Sequence, residues 1–142
     1  MRRRDLVTHE LVGGRVNIKQ LQQGLAYCGK VEAVRQTYHV FQAKGAYLVL
    51  SFARSKDRKG SGYFNLIDEA AVNYVRSRMG GHSGVTAKDI VQAGRRTKHI
   101  TGRLQALNIL YVMVALNQAA IQKAGENRQL FFSVRKARRA AA

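Results

Sequence analysis

The apolar positions of this chain change spacing several times, and each change predicts an element. After Gly13-Gly14, the residues Ile18, Leu21 and Leu25 recur at helical steps and predict a short helix over 16–26, weakened by Gly24 and closed by Gly29. Val31, Val34, Tyr38 and Phe41 keep a helical spacing and predict a second helix over 31–40, whose last residues fit a strand equally well. From 46 to 67 the pattern becomes that of strands. Tyr47-Leu48-Val49-Leu50-Ser51-Phe52 and Tyr63-Phe64-Asn65-Leu66-Ile67 are dense in β-formers, and the turn-rich run 55–62 between them predicts a hairpin. Asp68 is placed to cap a helix, with Glu69 in its first turn, Arg76 and Arg78 near its far end, and Ala71, Val72, Val75 and Met79 facing inward. Gly80-Gly81 and Ser83-Gly84 stop that helix.

The remaining pattern has a distinct order. Val85 is a candidate for a very short strand. Thr86 is a good cap for a helix over 86–93, with Asp89 near its start and Ala87, Ile90 and Val91 on its apolar side. Gly94 ends it, and the basic turn Gly94-Arg95-Arg96-Thr97 leads into a long helix predicted over 98–117. In that helix Ile100, Leu104, Leu107 and Tyr111 define a buried stripe with Asn108 at its margin, while 109–116 is apolar all round. Two short runs, 119–123 and 129–134, flank Gly125-Glu126-Asn127 and predict a closing hairpin. Helix, short strand, helix, turn, long helix and hairpin is an order that resembles the broad winged helix-turn-helix superfamily, over the carboxy-terminal part of the chain. The resemblance implies duplex binding through the second helix of the pair and the wing. The expected fold is therefore α+β: amino-terminal helices and a β-hairpin in 1–67, joined to a winged-helix-like unit in 68–142, the two sharing a core.

Charge then narrows the function. Against 8 Asp and Glu stand 25 Lys and Arg, a net charge of +17 in 142 residues, with a sequence pI near 11. Such a field attracts polyanions, and double-stranded DNA is the expected partner, with RNA as the alternative. No apolar run approaches the roughly 20 residues of a spanning helix, so no membrane partner is expected. The start of the chain shows no signal-peptide core, and the expected location is the cytoplasm or nucleoid, or the nucleus in a eukaryote. A single cysteine, Cys28, cannot close an intramolecular disulfide and reads as a small core residue.

The candidate contacts fall into four groups. In helix-turn-helix geometry the start of the second helix meets base edges, which points to Lys98, Thr101 and Arg103, with Thr97 beside them. Arg95 and Arg96 would grip flanking phosphates, and His99 would join them or pack. Lys123 and Arg128 flank the wing tip. Arg54, Lys56, Arg58 and Lys59 stand on the basic loop of the first hairpin, where they fit a phosphate backbone or a solubilising surface equally. Arg2, Arg3 and Arg4 form one basic arm, and Arg135, Lys136, Arg138 and Arg139 another.

No catalytic group, cofactor or metal is expected. The eight carboxylates are scattered, and Asp57-Arg58-Lys59 matches half of a nuclease pattern with Glu32 as a weak upstream partner. His9, His39, His82 and His99 lack metal-ligand spacing, and no glycine-rich phosphate loop with its lysine is present. Tyr47, Phe52, Tyr63 and Phe64 could serve a single strand as a stacking platform, or simply fill a core. A homodimer is compatible with the apolar 109–116 stretch.

Overall fold

The structure is a computed structural model and describes residues 25–33, 36–53, 62–124 and 129–136. The expected 16–26 helix lies outside those residues except for its last two positions. So do Arg2, Arg3, Arg4, Arg54, Lys56, Arg58, Lys59, Arg128, Arg138 and Arg139. Two antiparallel sheets and three helices make up the described part, an α+β fold. No helix among the described residues is long and apolar enough to cross a membrane.

Strands β1 (Ala26–Glu32), β2 (Gln36–Ala43), β3 (Ala46–Ala53) and β4 (Gly62–Asp68) form a four-stranded sheet in the order β1-β2-β3-β4. The expected hairpin is present as β3 and β4, with Leu48 opposite Leu66 and Tyr47 opposite Ile67. The helix expected over 31–40 is not. Val31 ends in β1 and Tyr38 in β2, and they face each other across the ladder. Because β2 is a central strand with apolar residues on both faces, its alternation is blurred, and three- and four-residue steps appear in it by coincidence. Val40 and Val49 pair on the face toward the helices, while Phe41 and Leu48 pair on the other, and all four are buried.

Helix α1 (Glu69–Met79) follows β4 directly. Asp68 holds the cap position without a side-chain hydrogen bond, contrary to expectation. The Glu69 amide donates instead to the Gly45 carbonyl at 3.1 Å, so the β2–β3 turn satisfies it. Ala71, Val72 and Val75 are buried as expected, and Met79 packs against the core in part. Helix α2 (Ala87–Gly94) begins at a full capping box: Asp89 N donates to Thr86 Oγ1 at 3.3 Å, and Thr86 N to Asp89 Oδ2 at 2.9 Å. Helix α3 (Arg103–Ala115) is shorter than the expected 98–117 at both ends. Asn117, with φ of 61°, turns the chain into β5 (Ala119–Ala124), which pairs with β6 (Leu130–Val134). Val85 bridges Phe132 through two backbone hydrogen bonds of 2.9 Å, and Gly81 and His82 bond to Val134.

One cluster joins all of this. Val31, Val40, Val49 and Ile67 of the sheet meet Val72, Val75, Ile90, Ile109, Leu110, Met113 and Phe132. Tyr38 of β2 stacks on Tyr111 of α3 at 4.2 Å between ring centroids. Burial, followed by the charge and hydrogen bond of Tyr38, pushes the Tyr111 hydroxyl well above the usual tyrosine range. The expected boundary between 67 and 68 falls at the β4–α1 junction, and both sides feed this core. Helix α3 lies at its centre, against the sheet on one side and α1, α2 and β5 on the other. Ile109, Leu110, Tyr111, Val112 and Met113 are therefore buried within the chain, and the stretch that pointed to a second copy is largely covered. The stripe expected on α3 is also rotated: Leu104 is 66% exposed, and Asn108 is 1% exposed rather than marginal.

Candidate nucleic-acid interface

The segment between α2 and α3 has no regular secondary structure, yet its backbone is held at several points. Gly94 ends α2 against Ile100. A Cβ at position 94 would stand 2.8 Å from Ile100 Cβ and closer still to Cγ1, so no larger residue fits unless Ile100 moves. Thr97 donates to the Gly94 carbonyl twice, through its amide and its hydroxyl, each at 2.9 Å, while its hydroxyl oxygen accepts from His99 N at 3.3 Å. Gln105 closes the other end: its Oε1 accepts from Thr101 N at 2.7 Å, and its Nε2 donates to the His99 carbonyl at 2.8 Å. The His99 ring stacks on Tyr74 of α1, centroids 5.2 Å apart and planes inclined by 22°. Tyr74 Oη in turn donates to the Ala93 carbonyl at 3.0 Å, tying α1 to the end of α2.

On this frame Arg95, Arg96, Lys98, His99, Thr101 and Arg103 are all exposed, and Thr97 is half-buried with its hydroxyl engaged in the turn. Four cations thus occupy nine consecutive positions. Among the described residues the one ion pair is Lys30–Glu32, at 3.4 Å on β1, so no carboxylate there neutralises the four. The nearest acidic residue in sequence, Asp89, is engaged in the α2 capping box. Gly102 precedes helix α3 as its cap residue and offers no side-chain cap, and the positive end of the helix dipole adds to the same field.

Lys98 and Thr101 were expected on the helix but stand in the segment before it, because Gln105 takes up the Thr101 amide and the His99 carbonyl that the ladder of a helix starting at 98 would use. Beyond Arg103 and Leu104, α3 turns into the core, and from Asn108 to Met113 it is enclosed. It cannot lie along a groove over its length. What the fold presents is a corner: the turn, then the first turn of the helix.

Among the other described candidates, Arg135 and Lys136 lie apart from this corner. Arg135 and Lys136 are exposed after β6, and Arg135 N donates to the Gln118 carbonyl at 2.8 Å, just past the carboxy-terminal end of α3. A helix of 13 residues spans about 20 Å, which separates them from Arg103. Lys123 sits opposite Phe131 in the β5–β6 register. The aromatic platform does not assemble from the members whose burial is described. Tyr47 is buried with the helices, whereas Phe64 pairs with Leu50 on the opposite face. Among the described residues no three His, Cys, Asp or Glu side chains converge as a metal site. Glu32 is in the ion pair with Lys30, and Asp57 is outside the described residues.

Three contributors escape sequence reasoning: Tyr74, Gln105 and Leu104. Gln105, four residues after Thr101 at a helix start, carries a weak capping signal, and Tyr74 carries none. The spacing of Leu104 assigns it to the core stripe, from which the fold removes it. The chain matches no family model, and no curated protein or solved structure matches it significantly.

Proposed function

We propose that this chain binds double-stranded DNA without catalysing a reaction, in a regulatory or architectural role, and that α1, Val85, α2, α3 and the β5–β6 hairpin act as a winged-helix-like unit. The observation that carries the reading is the exposed, unneutralised set Arg95, Arg96, Lys98 and Arg103 on a turn braced by Ile100, Gln105 and Tyr74. Cations held in place lose less freedom on meeting a phosphate backbone than cations on a mobile loop, so each contact contributes more to affinity. The element order and the Val85–Phe132 bridge support the winged-helix reading, since a short strand between the first two helices that joins the closing hairpin belongs to that arrangement. The enclosed body of α3 modifies it. Base contact is confined to Arg103, Leu104 and the residues just before them, and most of the affinity comes from phosphates. The basic arms, including Arg135 and Lys136, add sequence-independent attraction. A protein of this kind works where DNA is, in a nucleoid or a nucleus.

The test is duplex binding at several salt concentrations. Phosphate contacts by Arg95, Arg96 and Lys98 alone give a slope of about −2.7 for log affinity against log salt, and the arms steepen it. Replacing Arg95, Arg96 and Arg103 together by Ala lowers duplex affinity more than replacing Arg2, Arg3 and Arg4, and flattens the slope. A salt-independent curve contradicts the proposal, and the opposite ranking moves the site to the amino-terminal arm. Preference for single strands or structured RNA over duplex replaces the DNA reading with the RNA one.

A further inference from the structure

We infer that Leu104 is a wedge that enters between stacked base pairs of duplex DNA while the surrounding cations hold the phosphates on either side. The inference rests on the duplex-binding reading above and adds deformation of the DNA to it.

Three features of the corner point this way. Leu104 is the most exposed large apolar side chain among the described residues, at 66%, ahead of Leu66 at 50% and Tyr27 at 38%. A lone exposed leucine normally needs no account. This one comes directly after Arg103, in a segment where Arg95, Arg96, Lys98 and Thr101 are also exposed. An apolar protein pocket that took Leu104 would have to strip water from those arginines, whereas an opened base step offers apolar base faces and phosphates together.

The second feature is access. At Gly102 an added Cβ would meet nothing within 4 Å, so the backbone just before the tip is clear of the rest of the molecule. The third is stiffness. The Leu104 carbonyl accepts from Asn108 Nδ2 at 2.8 Å, and Asn108 is buried. Gln105, the next residue, is bonded to both His99 and Thr101, and behind it α3 runs into the closed core. A tip that must separate stacked bases needs such a support, since a yielding one would fold back. The same enclosure of α3 disfavours the alternative in which Leu104 touches a thymine methyl from a helix lying in the major groove.

Leu104 is two-thirds exposed and outside the core, so Leu104→Ala removes mainly solvent-facing atoms and the variant folds. The probes are a duplex of about 30 base pairs with 2-aminopurine at a central TA step, which unstacks readily, and the same duplex with a small central bulge. The wild-type chain raises the 2-aminopurine fluorescence on binding and favours the bulged duplex by about tenfold, because its unstacking is already done. Leu104→Ala still binds the intact duplex with the same salt slope but gives no fluorescence rise and loses the preference, and Leu104→Phe restores both. Arg103→Ala instead weakens both duplexes alike. Binding by the wild type without a fluorescence rise, or a Leu104→Ala preference equal to that of the wild type, overturns the wedge and leaves duplex binding intact. Failure of the wild type to bind either duplex overturns both readings.

Discussion

A methyl group at position 94 would have to occupy space that Ile100 already fills, and the Ile100 side chain is itself packed against the core. Gly94→Ala therefore forces the turn open or pushes Ile100 from its seat, at a cost of about 1–3 kcal/mol read from chemical denaturation. Adding Ile100→Ala recovers part of that loss relative to the sum of the single changes, and strict additivity would show that the two side chains do not compete. A different residue sets a pH response. Burial, and then the charge of Lys30, hold His39 below its ordinary value near 6.5, while its Nδ1 lies 3.1 Å from Tyr27 Oη. The folded chain binds fewer protons there than the unfolded chain once the pH drops below about 6.5. This contribution to stability is complete above that value and is lost as pH falls from it toward the lower folded value. The denaturation midpoint should accordingly decline as pH falls below about 6.5, and His39→Gln should flatten the decline. An identical decline in the variant would assign it to other groups.

Among elements, the connection between α2 and α3 shows how side chains can order a backbone that has no regular structure. Gln105 alone bonds to two backbone groups, on His99 and Thr101. Removing it in Gln105→Ala costs about 1 kcal/mol of stability, because the site is half-exposed and water replaces part of what is lost. Duplex affinity should fall by about three- to tenfold, since the nearby cations then pay an ordering cost on binding. Affinity unchanged in gel-shift titrations would detach the braced turn from the proposed interface. The start of α3 was illegible for the same reason. Lys98 to Gly102 have acceptable helix spacing with the residues of α3, but Gln105 offers the Thr101 amide and the His99 carbonyl competing hydrogen bonds, and those prevail. Where the competition was local and unopposed, at Thr86 and Asp89, the element is read correctly from the residues alone.

At the scale of the whole molecule, α3 is the shared wall between the four-stranded sheet and the remaining helices and hairpin. Ile109 has no exposed surface and belongs to the cluster that both regions supply. Ile109→Ala should lower stability by about 2–5 kcal/mol, and the loss should register in one transition, followed alike by far-ultraviolet dichroism and tyrosine fluorescence. Two separated transitions would mean that the regions on either side of the β4–α1 junction fold independently. The same central position explains why Gly29 of β1 lies so near the end of α3. A Cβ there would stand 3.2 Å from the Ala115 carbonyl oxygen, so sheet and helix meet at backbone distance.

The residues by themselves determined the β3–β4 and β5–β6 hairpins, the capped start of α2, the break at Gly94 and the excess of positive charge, because each depends on neighbours within a few positions or on a simple sum. Only the tertiary structure decided that 31–40 divides between two strands, that α3 begins at Arg103, and that Leu104 faces outward while Asn108 is enclosed. Those outcomes depend on what lies across from each residue. A strand covered on both faces and a helix enclosed on nearly every side lose the one-sided pattern by which an element declares its buried face.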